Sequence, residues 1–139
     1  MLIEARVDNA FERHSVSLVT AGATRELTIA PRAGGMGSSA NGGELLCLAL
    51  ATCYCNDVYR EADRRGITVV RVAVEAQAEF GAEGEAARSL RYRAHVVAKT
   101  DETVISELMT HVDRVAEIQN TLRQGMPVQF ERGRAERAP

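Results

Sequence analysis

The apolar and polar residues of this chain alternate with different periods in successive segments. Apolar side chains occupy every second position over residues 70–80, and the same alternation returns over residues 90–98. A period of two is typical of a strand that buries one face. Residues 81–85 are polar and contain glycine, so the pattern predicts a long β-hairpin. Glutamates on the outward face of one strand and arginines on that of the other favour cross-strand ion pairs.

Three shorter alternating runs lie near the N-terminus, at residues 3–8, 15–19 and 26–30. They predict three half-buried strands, with Ala21, Gly22 and Ala23 as the turn between the second and the third. Such a succession favours an antiparallel meander. Residues 31–43 hold five of the eleven glycines and are expected to form a flexible loop.

The central stretch, residues 41–66, has the signals of a helix at both ends. Asn41 can cap the free amides, and Glu44 three residues later completes a capping box. Residues 45–55 are apolar on every side, which predicts a helix enclosed by protein. After Asn56 the pattern becomes amphipathic, and Gly66 is the expected terminator. The residues expected to face solvent are Arg60, Glu61, Asp63, Arg64 and Arg65.

A second helix is predicted downstream by apolar residues at intervals of three and four. Thr100 or Asp101 can cap it, and Gln124 and Gly125 end it. Its apolar positions are Ile105, Leu108, Val112, Val115, Ile118 and Leu122. Residues 127–130 read as a short final strand, and residues 131–139 as a frayed tail. The fold class is therefore α+β, with a single domain over residues 1–130.

Composition narrows the classes of function. A net charge of −2 gives no long-range attraction for nucleic acid. No run reaches the roughly 18–20 apolar residues of a membrane span, and the N-terminus does not resemble a signal peptide. We therefore expect a cytoplasmic protein that binds neither nucleic acid nor membrane. In that compartment Cys47, Cys53 and Cys55 are free thiols.

The order of these elements resembles the OsmC/Ohr family of thiol-dependent hydroperoxide reductases. The resemblance covers roughly residues 1–130. It rests on the meander, the glycine-rich loop and the hairpin, and on the helix that opens Asn-Gly-Gly-Glu-Leu-Leu and carries Cys53-Tyr54. Two later runs also match: Asp113-Arg114-Val115, and Asn120-Thr121-Leu122-Arg123 before Met126-Pro127-Val128. It implies an intertwined homodimer with its site at the subunit interface.

The resemblance also implies site residues. Cys53 stands where the family has its peroxide-attacking cysteine. The acidic residue that opens the family's helix falls on Gly43 in strict register, with Glu44 one position later. The family's catalytic arginine falls on Phe11, so that Arg13 or Arg25 would have to substitute for it. The candidate catalytic residues are Cys53, Glu44 and Arg13.

One departure concerns the second thiol of the family. Typical members carry Val-Cys-Pro in the last helix, and that cysteine resolves the oxidised first cysteine as a disulfide. This chain has Val115-Ala116-Glu117 there. On an ideal helix Cys55 lies ~200° around the axis from Cys53, and Cys47 lies ~9 Å along it, both outside disulfide reach. A resolving thiol would come from the other subunit or from a small molecule.

The residues offer little for a metal or a cofactor. Cys53-x-Cys55 lacks the spacing of zinc sites, and His14, His95 and His111 lie on separate predicted elements. The glycine-rich loop lacks the lysine of a phosphate-binding loop. No metal and no cofactor is expected.

Two hypotheses follow. In the first, Cys53 reduces organic hydroperoxides by a one-cysteine route or with an intersubunit or external thiol. In the second, the homodimer has lost redox chemistry and holds an apolar small molecule at its interface. Free cysteine is often a buried small hydrophobe, so the second hypothesis also accounts for Cys53.

Overall fold

The structure is a computed structural model that describes residues 1–139 as five strands and three helices. The elements are β1 Ile3–Ala10, β2 Arg13–Thr20, β3 Ala23–Glu26, α1 Gly42–Arg64, β4 Val69–Phe80, β5 Ala87–Ala98, α2 Glu102–Val115 and α3 Glu117–Arg123. The chain divides into two compact units, Met1–Leu48 and Ala49–Pro139, which are described in turn. The predicted α+β class is confirmed.

The first unit contains the predicted meander, with strand order β1-β2-β3 and antiparallel pairing throughout. The third strand differs from the prediction: it spans Ala23–Glu26, so it ends where the predicted strand at residues 26–30 begins, and Ala23 pairs with Thr20 instead of lying in the turn. Ala21 and Gly22 both have positive φ, 49° and 82°, which is the geometry of a tight two-residue hairpin turn. Pairing therefore resumes at once with Thr20 opposite Ala23.

The loop between β3 and α1 is fastened to the meander by Asn9. The backbone N–H of Gly37 donates to Asn9 Oδ1 at 2.9 Å, and Asn9 Nδ2 donates to Gly37 O at 3.0 Å. Gly37 has φ +96°, a conformation that favours glycine. The loop predicted to be flexible thus has a specific side-chain anchor.

Both predicted ends of α1 are confirmed. The N–H of Glu44 donates to Asn41 Oδ1 and the N–H of Asn41 donates to Glu44 Oε2, each at 2.9 Å, which completes the capping box. At the other end Gly66 has φ +66°. The N–H groups of Gly66 and Ile67 donate to the carbonyls of Asp63 and Ala62, as in a Schellman motif.

Within one chain the first half of α1 is only partly covered, and its enclosure by two subunits stays a prediction. Leu48 is 56 % exposed and the three cysteines are only partly buried. Burial follows one face of the helix, at Leu50, Tyr54, Asp57, Val58, Glu61 and Ala62. Glu61, predicted to face solvent, is only 5 % exposed. The period of 3.6 residues places it beside Val58 on the inner face.

The second unit contains the predicted hairpin of β4 and β5, with Ala76 opposite Tyr92. Arg93 and Glu75 pair across it at 2.7 Å, as the charge pattern predicts. A register shift between Val69 and Arg71 changes the start of β4. Val69 therefore packs against the core and Val70 is 58 % exposed, whereas the alternation placed Val70 inside.

The predicted second helix is two helices, because Ala116 interrupts it with an extended backbone at ψ 110°. Side chains satisfy the carbonyls that the break leaves free. Asn120 Nδ2 donates to Arg114 O at 2.9 Å and Arg123 Nη1 donates to Asp113 O at 3.1 Å. Asn120 and Arg123 thus replace helical hydrogen bonds at the junction of α2 and α3.

The predicted final strand is wrong, since residues 127–130 have no regular structure. Strands β4 and β5 pair only with each other, and a strand needs a neighbour for its backbone groups. Val128 and Phe130 are 97 % and 90 % exposed.

The core of the second unit joins α1, α2 and the hairpin. Its buried members are Tyr54, Val58, Ala62, Val96, Leu108 and Val112. Val58, Leu108 and Val112 are completely buried. None of the helices has the length and apolar character needed to cross a membrane.

We expect Leu108→Ala to lower the free energy of unfolding by about 2–5 kcal/mol, because it opens a cavity in this core. Urea unfolding at fixed protein concentration measures the change. Leu122→Ala removes the same atoms from a side chain that is 39 % exposed, and should cost clearly less. Equal costs would contradict the placement of the core.

Candidate functional site

Cys53 and Asp57 lie on the same face of α1, one turn apart. The Cys53 thiol donates a hydrogen bond to Asp57 Oδ2, with an Sγ to oxygen distance of 3.7 Å. Asp57 is only 4 % exposed. Its other oxygen, Oδ1, accepts a hydrogen bond from Arg60 Nη1 at 2.6 Å. A buried carboxylate thus connects the thiol to a guanidinium.

Glu117 reaches the same place from the second half of the chain. It is the first residue of α3, directly after the break at Ala116. One ligand atom each of Cys53, Asp57 and Glu117 lie within 4.8 Å of one another. Arg60 Nη1 is also 3.5 Å from Glu117 Oε1. The break between α2 and α3 therefore brings a second carboxylate to the thiol.

The surroundings of Cys53 raise the pKa of its thiol above the ordinary value. Burial is the main cause, and the negative charges of Asp57 and Glu117 act in the same direction. A hydrogen bond from the backbone N–H of Ile118 opposes them. Burial and then the charge of Glu117 raise the pKa of Asp57 as well, despite Arg60. At neutral pH the site therefore favours the thiol of Cys53 over the thiolate.

Arg60 belongs to a second set of ion pairs around the buried Glu61. Glu61 Oε1 accepts from Arg60 Nε at 3.0 Å and from Arg64 Nη1 at 2.8 Å, while His111 Nε2 lies 3.0 Å from Oε2. The hydrogen bonds from Arg60 and His111 lower the pKa of Glu61. Arg60 is thereby held between Glu61 and Asp57, which fixes the orientation of the carboxylate beside Cys53.

A separate polar cluster surrounds Asp113 on α2. Asp113 accepts hydrogen bonds from the Tyr92 hydroxyl and, at 2.7 Å, from Arg123 Nη2. Burial opposes its charge, but these two hydrogen bonds outweigh it and lower its pKa. A cleft of about 200 Å³ lies beside this cluster, lined by Leu50, Leu90, Arg91, Tyr92, Gln119, Leu122 and Arg123.

Gln119 at this cleft is almost completely buried. Its Nε2 donates to Leu50 O at 3.1 Å, and its Oε1 has no hydrogen-bond partner. The hydrogen bond to Leu50 joins α3 to α1 beside the thiol. Gln119 Oε1 is thereby left as a buried acceptor without a donor, and such groups are rare in proteins.

Glu44 and Arg13, predicted as catalytic, lie in the first unit, whereas Cys53 lies in the second. Both have other partners there. Glu44 caps α1, and the exposed Arg13 pairs with Asp8 at 3.2 Å. The alternative, Arg25, is exposed on β3. The catalytic roles of Glu44 and Arg13 stay predictions.

The groups that surround the thiol were not among the predicted site residues. For Asp57 a signal existed, because a spacing of four on a helix places it beside Cys53. For Glu117 none existed, since its approach depends on the break at Ala116 and on the packing of α3. Arg60 was predicted as a solvent-facing residue, but it is the cation that pairs with Asp57.

Cys53, Asp57 and Glu117 are also the one group of side chains with the spacing to hold a metal ion. A thiolate and two carboxylates suit a divalent transition metal. Arg60 already occupies Asp57 Oδ1 and approaches Glu117. A metal ion would therefore have to displace a guanidinium and take the proton from the thiol.

Comparison with known proteins identifies the fold. Among curated proteins none matches this sequence. An OsmC-like protein from Mycoplasma pneumoniae has 18 % identity and a TM-score of 0.57, covering 86 % of this chain and 87 % of its own. A Legionella pneumophila organic hydroperoxide resistance protein OsmC has 20 % identity, covers 88 % and 90 %, and has a TM-score of 0.57.

An organic hydroperoxide resistance protein from Elizabethkingia anophelis has 16 % identity, covers 88 % of this chain and 89 % of its own, and has a TM-score of 0.56. At such identities these structures show a shared fold. The family model described as OsmC-like protein matches residues 35–131, well over half of the sequence. The chain therefore belongs to the OsmC-like protein family.

Proposed function

We propose that this protein reduces organic hydroperoxides through Cys53 and is regenerated by a thiol from outside the subunit. Family membership supports a role connected with hydroperoxides, because several proteins whose structures resemble this chain are named organic hydroperoxide resistance proteins. The observation that carries the assignment to Cys53 is its setting. Of the three partly buried cysteines, Cys53 is the one whose Sγ donates a side-chain hydrogen bond, to Asp57.

The proposed reaction has two stages. The sulfur attacks one peroxide oxygen, the S–O bond forms as the O–O bond breaks, and the thiol proton leaves with the alkoxide as an alcohol. Cys53 is then a sulfenic acid, oxidised by two electrons. An external thiol displaces water to form a mixed disulfide, and a second thiol releases Cys53 in its reduced form.

The external thiol enters the proposal because of where the cysteines lie. All three belong to the one stretch of α1, and all are free. Cys47 and Cys55 are too far from Cys53 on an ideal helix to form a disulfide with it. We include a homodimer and a cytoplasmic location in the proposal, because a small-molecule thiol pool or a second subunit would then supply the resolving sulfur.

A second candidate function is the binding of an apolar small molecule at the interface of a redox-inactive homodimer. The raised pKa of Cys53 favours it, since the thiol and not the thiolate is the inert form. Apolar side chains exposed on the second unit, such as Val70 and Ile118, also suit an apolar contact. The two candidates differ in whether hydroperoxide is consumed.

Cys53→Ser should abolish consumption of cumene hydroperoxide in the presence of dithiothreitol, with a loss of at least about 100-fold. The hydroxyl cannot replace a thiolate nucleophile. Cys47→Ser and Cys55→Ser are matched controls and should keep the activity. If the wild type, folded by circular dichroism, leaves the peroxide unreduced and Cys53 unoxidised by mass spectrometry, the second candidate replaces the first.

The rate of peroxide consumption should rise with pH across the neutral and mildly alkaline range. The thiolate is the nucleophile, and the raised pKa keeps its fraction small at pH 7. Below the thiol pKa the rate should increase about tenfold per pH unit. Stopped-flow measurements between pH 6 and 9 test this. A rate that is constant over this range would show that the thiolate is already formed at pH 6.

Asp57→Asn should shift that rise to lower pH, because it removes a negative charge and offers the sulfur a donor. A unit charge at ~4 Å is worth ~1 kcal/mol even in water-like surroundings, so at this buried position the rate at pH 7 should increase by at least about fivefold. Asp63→Asn removes the same charge from an exposed position on α1 and should have little effect. An unchanged pH profile for Asp57→Asn would contradict the electrostatic account.

A further inference from the structure

The charges around Cys53 in its own unit are arranged with the negative groups toward the sulfur. Asp57 Oδ2 accepts the thiol hydrogen bond, whereas Arg60 binds the opposite oxygen, Oδ1. Glu117 places its carboxylate within 4.8 Å of both Sγ and Asp57. In this unit the sulfur thus has two carboxylates near it, and the one guanidinium, that of Arg60, binds the far oxygen of Asp57 and lies 3.5 Å from Glu117.

The two carboxylates differ in how they meet a reagent. Asp57 is buried, and its charge is shared with Arg60 through a hydrogen bond of 2.6 Å. The Glu117 side chain is 67 % exposed and lies farther from Arg60, at 3.5 Å. Charge on Glu117 therefore acts on molecules that approach Cys53 from solvent, and Asp57 acts mainly on the thiol itself.

From this arrangement we infer that Glu117, together with Asp57, selects the molecules that react at Cys53 by charge, admitting uncharged and cationic reactants and disfavouring anionic ones. The selection applies to both partners of the proposed reaction. The hydroperoxide is an uncharged one, and the thiol that attacks the sulfenic acid carries no net negative charge near its sulfur. Glu117 is in this sense a specificity-determining residue.

The inference rests on the proposed function for the identity of the reaction, but the charge preference itself is a property of Cys53. It can be measured with reagents that modify any accessible thiol. A unit charge about 5 Å from another in water-like surroundings changes a rate several-fold. Reagents of opposite charge should therefore differ by about tenfold.

The test uses the full chain with Cys47→Ser and Cys55→Ser, so that Cys53 is the single thiol. Its modification is timed with three methanethiosulfonates of similar size, with cationic trimethylammonium-ethyl, neutral methyl and anionic sulfonato-ethyl groups. Each rate is divided by the rate with 2-mercaptoethanol. We expect the cationic reagent to exceed the anionic one by about tenfold in this normalised rate.

Glu117→Gln should reduce that ratio several-fold, and Glu117→Lys should bring it to one or below. Glu83→Gln is the matched control, because Glu83 lies in the connection between β4 and β5 and is not among the groups that act on Cys53. The ratio should also fall between 20 mM and 1 M salt, since screening weakens the contribution of an exposed charge.

A normalised ratio near one in the unsubstituted Glu117 protein would overturn the inference, and so would a ratio that Glu117→Gln leaves unchanged. A second measurement follows the return of the Cys53 thiol after treatment with cumene hydroperoxide. Cysteamine, 2-mercaptoethanol and 3-mercaptopropionate, compared at equal thiolate concentration, should restore it in that order. The reverse order would also overturn the inference.

The two proposals fail in different ways. If cumene hydroperoxide does not oxidise Cys53 while the thiosulfonates show the charge preference, hydroperoxide reduction fails and the selection by Glu117 stands. If Cys53 is oxidised and reduced with no dependence on the charge of the reagent, the proposed function stands and the selection by Glu117 fails.

Discussion

The packing of α1 against α2 is the interaction on which the rest of the second unit depends. Val58, Leu108 and Val112 are completely buried in one cluster with Tyr54, Ala62 and Val96. This contact fixes the rotation of α1 about its axis. Because Asp57 and Glu61 are close neighbours of Val58 on the helix, the same rotation that buries the valine carries two carboxylates out of water.

Burying those carboxylates requires cations nearby. Unpaired buried charges are costly, so each needs a partner with good geometry. Arg60 serves both, through Nη1 to Asp57 and Nε to Glu61, and Arg64 and His111 complete the set around Glu61. The arginines that the sequence pattern placed on a solvated face thus hold the site together. The apolar core and the ion pairs thus both follow from the burial of one face of α1.

The break at Ala116 connects this core to the chemistry of Cys53. An unbroken helix would continue past residue 116 in the direction of α2. Ala116 is completely buried and has an extended backbone, so α2 ends there and α3 begins at the next residue. Glu117 and the N–H of Ile118, at the start of α3, lie near the Cys53 sulfur. Asn120 and Arg123 satisfy the carbonyls at the end of α2. The run Asn120-Thr121-Leu122-Arg123, which carries part of the resemblance to the family, thus supplies hydrogen bonds at the junction of α2 and α3.

Membership of the family does not by itself determine the reactivity of the Cys53 thiol. Shared fold and a matching family model place the chain among OsmC-like proteins. The reactivity of Cys53 depends on its immediate neighbours, and in its own unit these are two carboxylates and one amide. Burial and the two carboxylates raise its pKa against the opposing amide hydrogen bond, so a reaction at this sulfur near neutral pH proceeds from a small fraction of thiolate.

The sequence by itself determined the elements whose signals are local. The capping box of Asn41 and Glu44, the Gly66 terminator, and the alternation of β4 and β5 with Glu75 opposite Arg93 depend only on residues near each other in the chain or in a hairpin. Tertiary structure decided what distant contacts control: the burial of Glu61, the interruption at Ala116, the exposed residues 127–130, and the approach of Glu117 to Cys53. Periodicity identifies one face of a helix, but the partner that covers this face decides which carboxylates are buried and which charges meet the thiol.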